Sequence, residues 1–277
     1  MTGMPEYEVF AVRYAHREAK RSDHFIGGDP HDGPMPMDYF VWAIRGAGRV
    51  VVVDCGFNAE VAARRGRSLL RDPVDGLALL GIDAATVPEL VLTHLHYDHV
   101  GNLDRFPAAT FHLQEPDLHF AVGRHMRHAH LRAVFEVEDV VGLVRMNYAG
   151  RVRLHDGIVG LHPGITLYPA PGHSAGLQFV QVNTRRGMVV LASDVSHFYE
   201  NMESGRPFPI VVSVADTLES YDCARAAAAS AAHIIPGHDP LVMQRYPAPS
   251  PALEGIAVRL DVAPTGVAPT GVAPTGA

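Results

Sequence analysis

The stretch ELVLTHLHYDH, residues 89–99, decides the fold prediction because a buried strand runs in it directly into histidines and an aspartate. Residues two apart in an extended segment project to the same side, so His94 and His96 can bind one metal ion together. The chain then turns, which lets Asp98 and His99 face a second ion close by. Imidazole and carboxylate ligands without nearby cysteine favour an open zinc, iron, manganese or cobalt centre over a closed structural zinc site.

Three later strand ends carry matching ligands. APGHSAG (170–176) places His173 directly after a strand, and IIPGHD (234–239) places His238 in the same way. Asp194 follows the apolar run MVVLA, where an acid is costly unless it is paired or bound to metal. Each motif alone is a weak signal, because a single histidine at a strand end is usually structural. Together with residues 93–99 they predict a centre for two metal ions.

These motifs resemble those of the metallo-β-lactamase superfamily. THLHYDHVGN is similar to its metal signature, and PGHSAG, SD and PGHD match its later ligand motifs in the usual order. The resemblance runs from about Val9 to Leu241. It implies an α/β fold, a four-layer αββα sandwich with the site at one edge.

The resemblance also implies a role for each candidate ligand. The two metal sites would be His94, His96 and His173 for the first ion and Asp98, His99 and His238 for the second. Asp194 would bridge the two ions. VVVDCGFN resembles the first loop of the family, in which Asp54 supports the metal-binding turn without being a ligand.

The chemistry that follows is metal-dependent hydrolysis. Two cations, zinc in the first place and iron, manganese or cobalt as alternatives, would hold a bridging water and lower its pKa. The resulting hydroxide would attack the substrate while one ion stabilises the developing oxyanion. Asp98 lies beside that water in this scheme and is the expected proton carrier to the leaving group, in addition to its role as a ligand.

The substrate prediction rests on likeness to one group in the superfamily. The chain length, Asp98 and the segment MPMDYFVWAI resemble the N-acyl-homoserine lactone lactonases, which implies hydrolysis of a lactone or similar small ester. Those lactonases usually have tyrosine three residues after the bridging aspartate, and this chain has His197 there. His197 is a candidate for a hydrogen bond to the substrate carbonyl, although support of a metal ligand is the commoner role for such a histidine, and Tyr199 is the alternative substrate contact.

Two alternative hypotheses for the function are considered. The same lineage includes hydrolases of activated aryl methyl ethers, such as nitroanisole-type demethylases, and of thioesters. A non-catalytic or regulatory subunit of a heteromer would keep the fold as a scaffold. The presence of all seven candidate ligands counts against that last reading.

Composition bounds the partners and the compartment. The 277 residues carry a formal net charge of −7, which argues against a nucleic-acid partner and leaves a small-molecule substrate. Two cysteines fit a reducing compartment, so we expect a cytoplasmic protein. No apolar run approaches a membrane span, and the N-terminal stretch has no signal-peptide pattern. A homodimer, or a heteromer with a related chain, remains open.

The pattern of strands and helices predicts one hydrolase domain over residues 1–258. A helical insert at about 116–146 interrupts the strands and is expected to cap the site. Residues 216–232 are predicted to form a helix with Asp216 as its N-cap. Residues 259–277 contain three VAPTG repeats and are predicted to be a flexible tail.

Overall fold

The computed structural model describes residues 3–265. Its strands are β1 (Glu8–Arg17), β2 (Met37–Gly46), β3 (Arg49–Val53), β4 (Ser68–Leu69), β5 (Glu89–Val91), β6 (Thr110–Gln114), β7 (Val152–His155), β8 (Val159–His162), β9 (Ile165–Pro169), β10 (Gln178–Thr184), β11 (Gly187–Ser193), β12 (Ile234–Pro236) and β13 (Ala257–Arg259). Its α-helices are α1 (Ala59–Arg65), α2 (Pro73–Ala78), α3 (Tyr97–Val100), α4 (Glu115–Ala121), α5 (Ala129–Arg132), α6 (Val137–Tyr148), α7 (Tyr199–Ser204), α8 (Val214–Ala227) and α9 (Leu241–Arg245).

The strands form two mixed sheets. In the described residues, the larger sheet has the order β13-β1-β2-β3-β5-β6-β7, with β4 paired to β1, and the smaller sheet has the order β12-β11-β10-β9-β8. Strands β3, β5, β6 and β7 run parallel to one another, as do β11 and β12. Because parallel neighbours end at the same edge of their sheet, the loops after β3 and β5 lie at one edge of the larger sheet, and those after β11 and β12 lie at one edge of the smaller sheet.

Alternation along single strands explains why the two sheets pack face to face. In β2, Phe40 and Trp42 belong to the core between the sheets, whereas Tyr39 and Val41 belong to the core on the outer side of the larger sheet. In β11, Val189 and Leu191 face the inter-sheet core, and their neighbours pack under α8. Period-two alternation with both faces apolar requires a covering layer on each side.

The outer layers supply that cover. Residues of α1, α2, α4 and α6 pack on the outer face of the larger sheet, and α7 and α8 pack on the smaller one. The molecule is therefore the four-layer αββα sandwich that the sequence predicts. No helix in residues 3–265 is long and apolar enough to cross a membrane.

Several sequence expectations shift in detail. The helix predicted from 216 begins at Val214, and its N-cap is Ser213, not Asp216, because the Ser213 side chain accepts a hydrogen bond from the Asp216 backbone. Strand β13 spans the boundary predicted after residue 258, and Leu260 is buried beyond it. The last part of the predicted tail, residues 266–277, lies outside the described residues.

Candidate metal centre

The 94–99 turn leaves the larger sheet where β5 ends. Asp54, which follows β3, holds its base: the Thr93 backbone and hydroxyl donate hydrogen bonds of 2.7 and 2.8 Å to the two Asp54 carboxylate oxygens. His99 Nδ1 donates to the same carboxylate at 2.7 Å. Helix α3 then begins at Tyr97, with His96 in its N-cap position. The short helix reverses the chain, so that both ends of the turn face one point.

The first group of predicted ligands converges at the start of this turn. His94 Nε2 and His173 Nε2 lie 3.1 Å apart, and the ring of His96 lies 4.4 Å from that of His94 and 4.5 Å from that of His173. His94 is fully buried, and the other two rings are almost so. The three ligand nitrogens lie within 4.8 Å of one another, a geometry that fits one metal ion.

The second group lies beside the first. Asp98 Oδ2 is 3.7 Å from His99 Nε2 and 3.6 Å from His238 Nε2. His238 Nδ1 donates to the backbone carbonyl of Asp38 at 2.9 Å, which aims its Nε2 at the group. These three ligand atoms also lie within 4.8 Å of one another.

Asp194 lies between the two groups. Its Oδ2 is 3.2 Å from His173 Nε2, and its Oδ1 is 3.1 Å from His238 Nε2 and 3.6 Å from His99 Nε2. The loop after β12 approaches Asp194 closely because residue 237 is glycine. A Cβ at Gly237 would lie 2.5 Å from Asp194 Oδ1. The structure thus brings all seven predicted side chains into one buried cluster.

The hydrogen bonds of the histidines leave lone pairs pointing inward. His173 Nδ1 and His238 Nδ1 each donate to a backbone carbonyl, which can only accept, so the neutral ring has its lone pair on Nε2. Those lone pairs face Asp194 oxygens, and such contacts repel unless a cation lies between them. In the described residues, His99 Nε2 and Asp194 Oδ1 are buried without any hydrogen-bond partner. Both features fit a site for metal ions.

Charge in the cluster separates the histidines into two classes. Burial and the neighbouring histidines hold the pKa of His94 and of His96 well below its usual value. Burial lowers the pKa of His99 as well, but the carboxylates of Asp54, Asp98 and Asp194 outweigh it and raise the pKa well above its usual value. Asp194 is buried, yet the surrounding histidines hold its pKa well below its usual value. The carboxylates of the cluster therefore stay ionised and favour positive charge beside them.

His197 lies beside Asp194. Its Nε2 lies 3.0 Å from Asp194 Oδ2, and its ring stacks on Phe208 with 3.4 Å between centroids. The residue is 5% exposed and does not line the cavity beside the cluster. Tyr199, the alternative contact, does not line this cavity either. Its hydroxyl is buried without a hydrogen-bond partner in the described residues, and the guanidinium of Arg245 lies 3.9 Å from the centroid of its ring.

An apolar cavity of about 190 Å³ opens beside the first group. His96 and His173 form its base, the helical insert forms one wall and the loop before α8 forms the other. The lining residues are His96, Phe120, His130, Leu131, Ala133, Val134, Phe135, His173, Ile210, Val211 and Val212. A small substrate with an apolar part can reach the cluster through this opening.

Asp117 is a supporting residue that sequence reasoning missed. It is completely buried in α4, and its carboxylate accepts hydrogen bonds from the backbone of Leu95 at 2.7 Å and of Gly176 at 3.1 Å. It thereby joins the 94–99 turn to the loop that carries His173. The sequence gives no distinct signal for this role, because an acidic residue in the first turn of a helix is common.

Comparison with protein families gives one match over most of the chain. Residues 35–249 match the model of the metallo-beta-lactamase superfamily. The matched range includes every residue of the cluster.

Curated relatives are named as lactonases. The N-acyl homoserine lactonase AttM of Rhizobium radiobacter is 28% identical over 230 residues, which is 77% of this chain and 85% of that protein. AttM of Azorhizobium caulinodans is 30% identical, over 58% of this chain and 61% of its own length. The lactonase of Bacillus cereus is 29% identical over 43% of this chain, and the match spans only 42% of that relative.

Solved structures share the fold. A quorum-quenching N-acyl homoserine lactone lactonase has a TM-score of 0.72 at 19% identity, covering 87% of this chain and 95% of that one. A hydrolase described as belonging to the beta-lactamase superfamily has a TM-score of 0.66 at 17% identity, with coverage of 87% and 89%. At these identities the likeness bears on the fold alone, and it confirms the predicted sandwich.

Proposed function

This chain belongs to the metallo-β-lactamase superfamily as a lactonase-like hydrolase, and we propose that it hydrolyses a small ester or lactone of the N-acyl-homoserine lactone type. The observation that carries the proposal is one buried cluster of metal-binding side chains opening into an apolar cavity. The side chains that would hold two divalent ions are His94, His96, Asp98, His99, His173, Asp194 and His238.

The donor set fits that role. Five imidazoles and two carboxylates suit zinc and also iron, manganese or cobalt. When bound, a pair of divalent ions lowers the pKa of water and polarises a carbonyl, which is the chemistry that ester hydrolysis needs. The chain orients the imidazoles through Asp54, the Asp38 carbonyl and the Ile210 carbonyl. Each bond fixes a ring and leaves its Nε2 free to bind.

Asp98 is the proposed proton carrier. Its side chain is 10% exposed, more than that of its partners His99 and His238, and its backbone carbonyl accepts a hydrogen bond of 2.8 Å from Tyr14. A carboxylate held beside the reacting bond can accept a proton from water and deliver it to the leaving alcohol. Among the described residues, no serine or cysteine nucleophile lines the cavity.

The cavity supports an acylated substrate. Its lining is aromatic and aliphatic apart from three histidines, and two of these, His96 and His173, belong to the cluster. The apolar acyl part would lie between the helical insert and the loop before α8, with the scissile carbonyl at the base. The curated relatives, which are named N-acyl homoserine lactonases, support the same substrate class.

The test combines metal analysis with a substrate panel. We expect about two divalent ions per chain and loss of activity on chelation. The panel contains acyl-homoserine lactones, other lactones, aryl esters, thioesters and nitroaryl ethers, with the acyl lactones expected to react fastest. His96→Ala should lose activity while its circular dichroism is unchanged, and His112→Ala, another buried histidine, should stay active. A purified protein that binds no divalent metal would contradict the proposal.

A further inference from the structure

His197 lies in a tight turn that brings it back to the strand end. Ser196 backbone nitrogen bonds to the carbonyl of Ser193, so the chain folds back within four residues of β11. The His197 carbonyl then accepts a hydrogen bond of 3.0 Å from the backbone of His238. This bond joins the turn after β11 to the loop after β12, and it fixes the base of the His197 side chain relative to the cluster.

The ring is fixed at its other end too. Phe208 lies parallel to it, with an angle of 8° between the planes and 3.4 Å between centroids. The residue is 5% exposed and does not line the cavity. Its Nε2 is therefore held facing Asp194.

The position of that nitrogen matches a metal ligand. It lies 3.0 Å from Asp194 Oδ2, and His173 Nε2 lies 3.2 Å from the same oxygen. The three ligand atoms are all within 4.8 Å of one another. Neighbouring ligands of one divalent ion, each about 2.0–2.2 Å from the metal, are separated by roughly 3 Å, and this ion would have five protein ligands with His197 included. The observed separations from Asp194 are close to that value.

We infer that His197 binds, through Nε2, the metal ion that His173 and Asp194 share. The inference rests on the metal centre of the proposed function and adds a sixth histidine to the five predicted from the sequence. It gives this residue a place on the metal in contrast to the candidate contact with substrate. The competing role is a hydrogen bond from Nε2–H to Asp194, which would leave His197 as a positioning residue.

The two roles differ in whether a covalent path joins the ring to the metal. In the cobalt-substituted protein, each histidine bound through Nε2 keeps a proton on Nδ1, and the paramagnetic ion shifts its signal far outside the normal proton NMR range. A histidine that only donates to Asp194 lacks the through-bond contact shift, so its signal is moved by the through-space effect alone and lies much closer to the normal range. We therefore propose counting the exchangeable shifted signals in the wild-type protein, His197→Gln and His112→Gln.

We expect His197→Gln to lose one shifted signal that the wild type has, although glutamine retains an amide N–H able to reach Asp194. His112→Gln should lose none, because His112 is equally buried but lies outside the cluster. Equal spectra for the wild type and His197→Gln, with cobalt bound in both, would overturn this inference alone.

A second measurement needs no variant and applies if His197→Gln does not fold. In the 15N-labelled zinc protein, His197 Nε2 should show the resonance shift of a metal-bound imidazole nitrogen, and that shift should revert on chelation. An unchanged His197 resonance would overturn the inference. A wild-type protein that binds neither cobalt nor zinc would overturn the proposed function, and this inference with it.

Discussion

At the scale of single residues, the cluster depends on backbone conformations that most residues avoid. Asp54 has φ +60° and Ser193 has φ +48°, and both lie at strand ends beside the cluster. A non-glycine residue in this region costs on the order of 1–3 kcal/mol, so surrounding contacts must hold it there. At Asp54 those contacts are the hydrogen bonds from Thr93 and His99. The strain turns the carboxylate toward the ring that it orients.

Asp54→Asn tests this orientation. An asparagine tolerates positive φ and keeps one acceptor, but its amide donates to His99 Nδ1 and favours the tautomer with the proton on Nε2. We expect the affinity for one of two metal ions to fall about 10- to 100-fold, measured by competition with a chelator. Asp83→Asn, at the N-cap of the short 3₁₀ helix Ala84–Thr86 outside the cluster, keeps a capping acceptor and should leave metal affinity unchanged. Equal metal affinity in Asp54→Asn and the wild type would count against the role.

Asp139 predicts a pH effect on stability away from the metal cluster. Burial, assisted by Glu136, raises the pKa of this carboxyl to about 7, and its Oδ2 is buried without a hydrogen-bond partner in the described residues. Because the folded pKa is above the unfolded one, the contribution to stability is full below about pH 4. It is lost as the pH rises through 7.

Asp139→Asn should remove that loss. At pH 8 we expect the free energy of unfolding to rise on the order of 2 kcal/mol, and at pH 4 we expect little change. Urea unfolding of both proteins across this range gives the difference directly. Glu138→Gln changes an exposed neighbour in the same helical turn and should show no such trend. A pH-independent difference for Asp139→Asn would refute the assignment.

At the scale of elements, the sequence predicts the strands that end in metal-binding residues, but it does not predict the short strands. The runs before His94, His173, Asp194 and His238 are apolar and end abruptly, so both the strand and the position of the ligand could be predicted. Strands β7 and β8 have only four residues each, too few to show a clear alternation of apolar and polar residues. They form because β7 pairs with the edge of β6 and β8 pairs with the edge of β9. Tertiary pairing of this kind leaves no local pattern.

The start of α8 shows how a cap can be misassigned. Asp216 is a good N-cap residue by type, and Ser213 is another, three positions earlier. The backbone chooses Ser213 because Val212 and Ser213 both bond to the Gly172 carbonyl, which ties the start of the helix to the His173 loop. That contact joins segments far apart in sequence, so composition alone could not decide between the two caps.

Ser213→Ala tests the cap found in the structure. The change removes the acceptor for the Asp216 backbone and should lower the free energy of unfolding by about 1 kcal/mol. Ser213→Asn keeps an equivalent acceptor and should be close to the wild type. Urea unfolding at neutral pH measures both variants, and a loss of the same size in Ser213→Asn would show that the hydroxyl acts by some other contact.

At the scale of the whole molecule, the layers and the site arise from one arrangement. The apolar residues on both faces of each sheet force an αββα stack, and the polar ends of two parallel pairs, β3 with β5 and β11 with β12, meet at the cluster. The opening of the cavity comes from the outer layers, because the helical insert and the loop before α8 belong to opposite sides of the stack. Substrate access is therefore set by elements that do not carry the metal cluster.

Val212→Trp tests this division between access and chemistry. Val212 lines the cavity and is 42% exposed, so the larger ring can fold over the opening without entering the core. We expect kcat/KM for acyl-homoserine lactones to fall about tenfold or more, most for long acyl chains, because steric exclusion removes the apolar contacts of the acyl part. Val214→Trp, at a position 45% exposed that does not line the cavity, is the matched control and should resemble the wild type. Metal content should be equal in all three proteins, and a loss of metal in Val212→Trp would mean that the loop and the cluster are not independent.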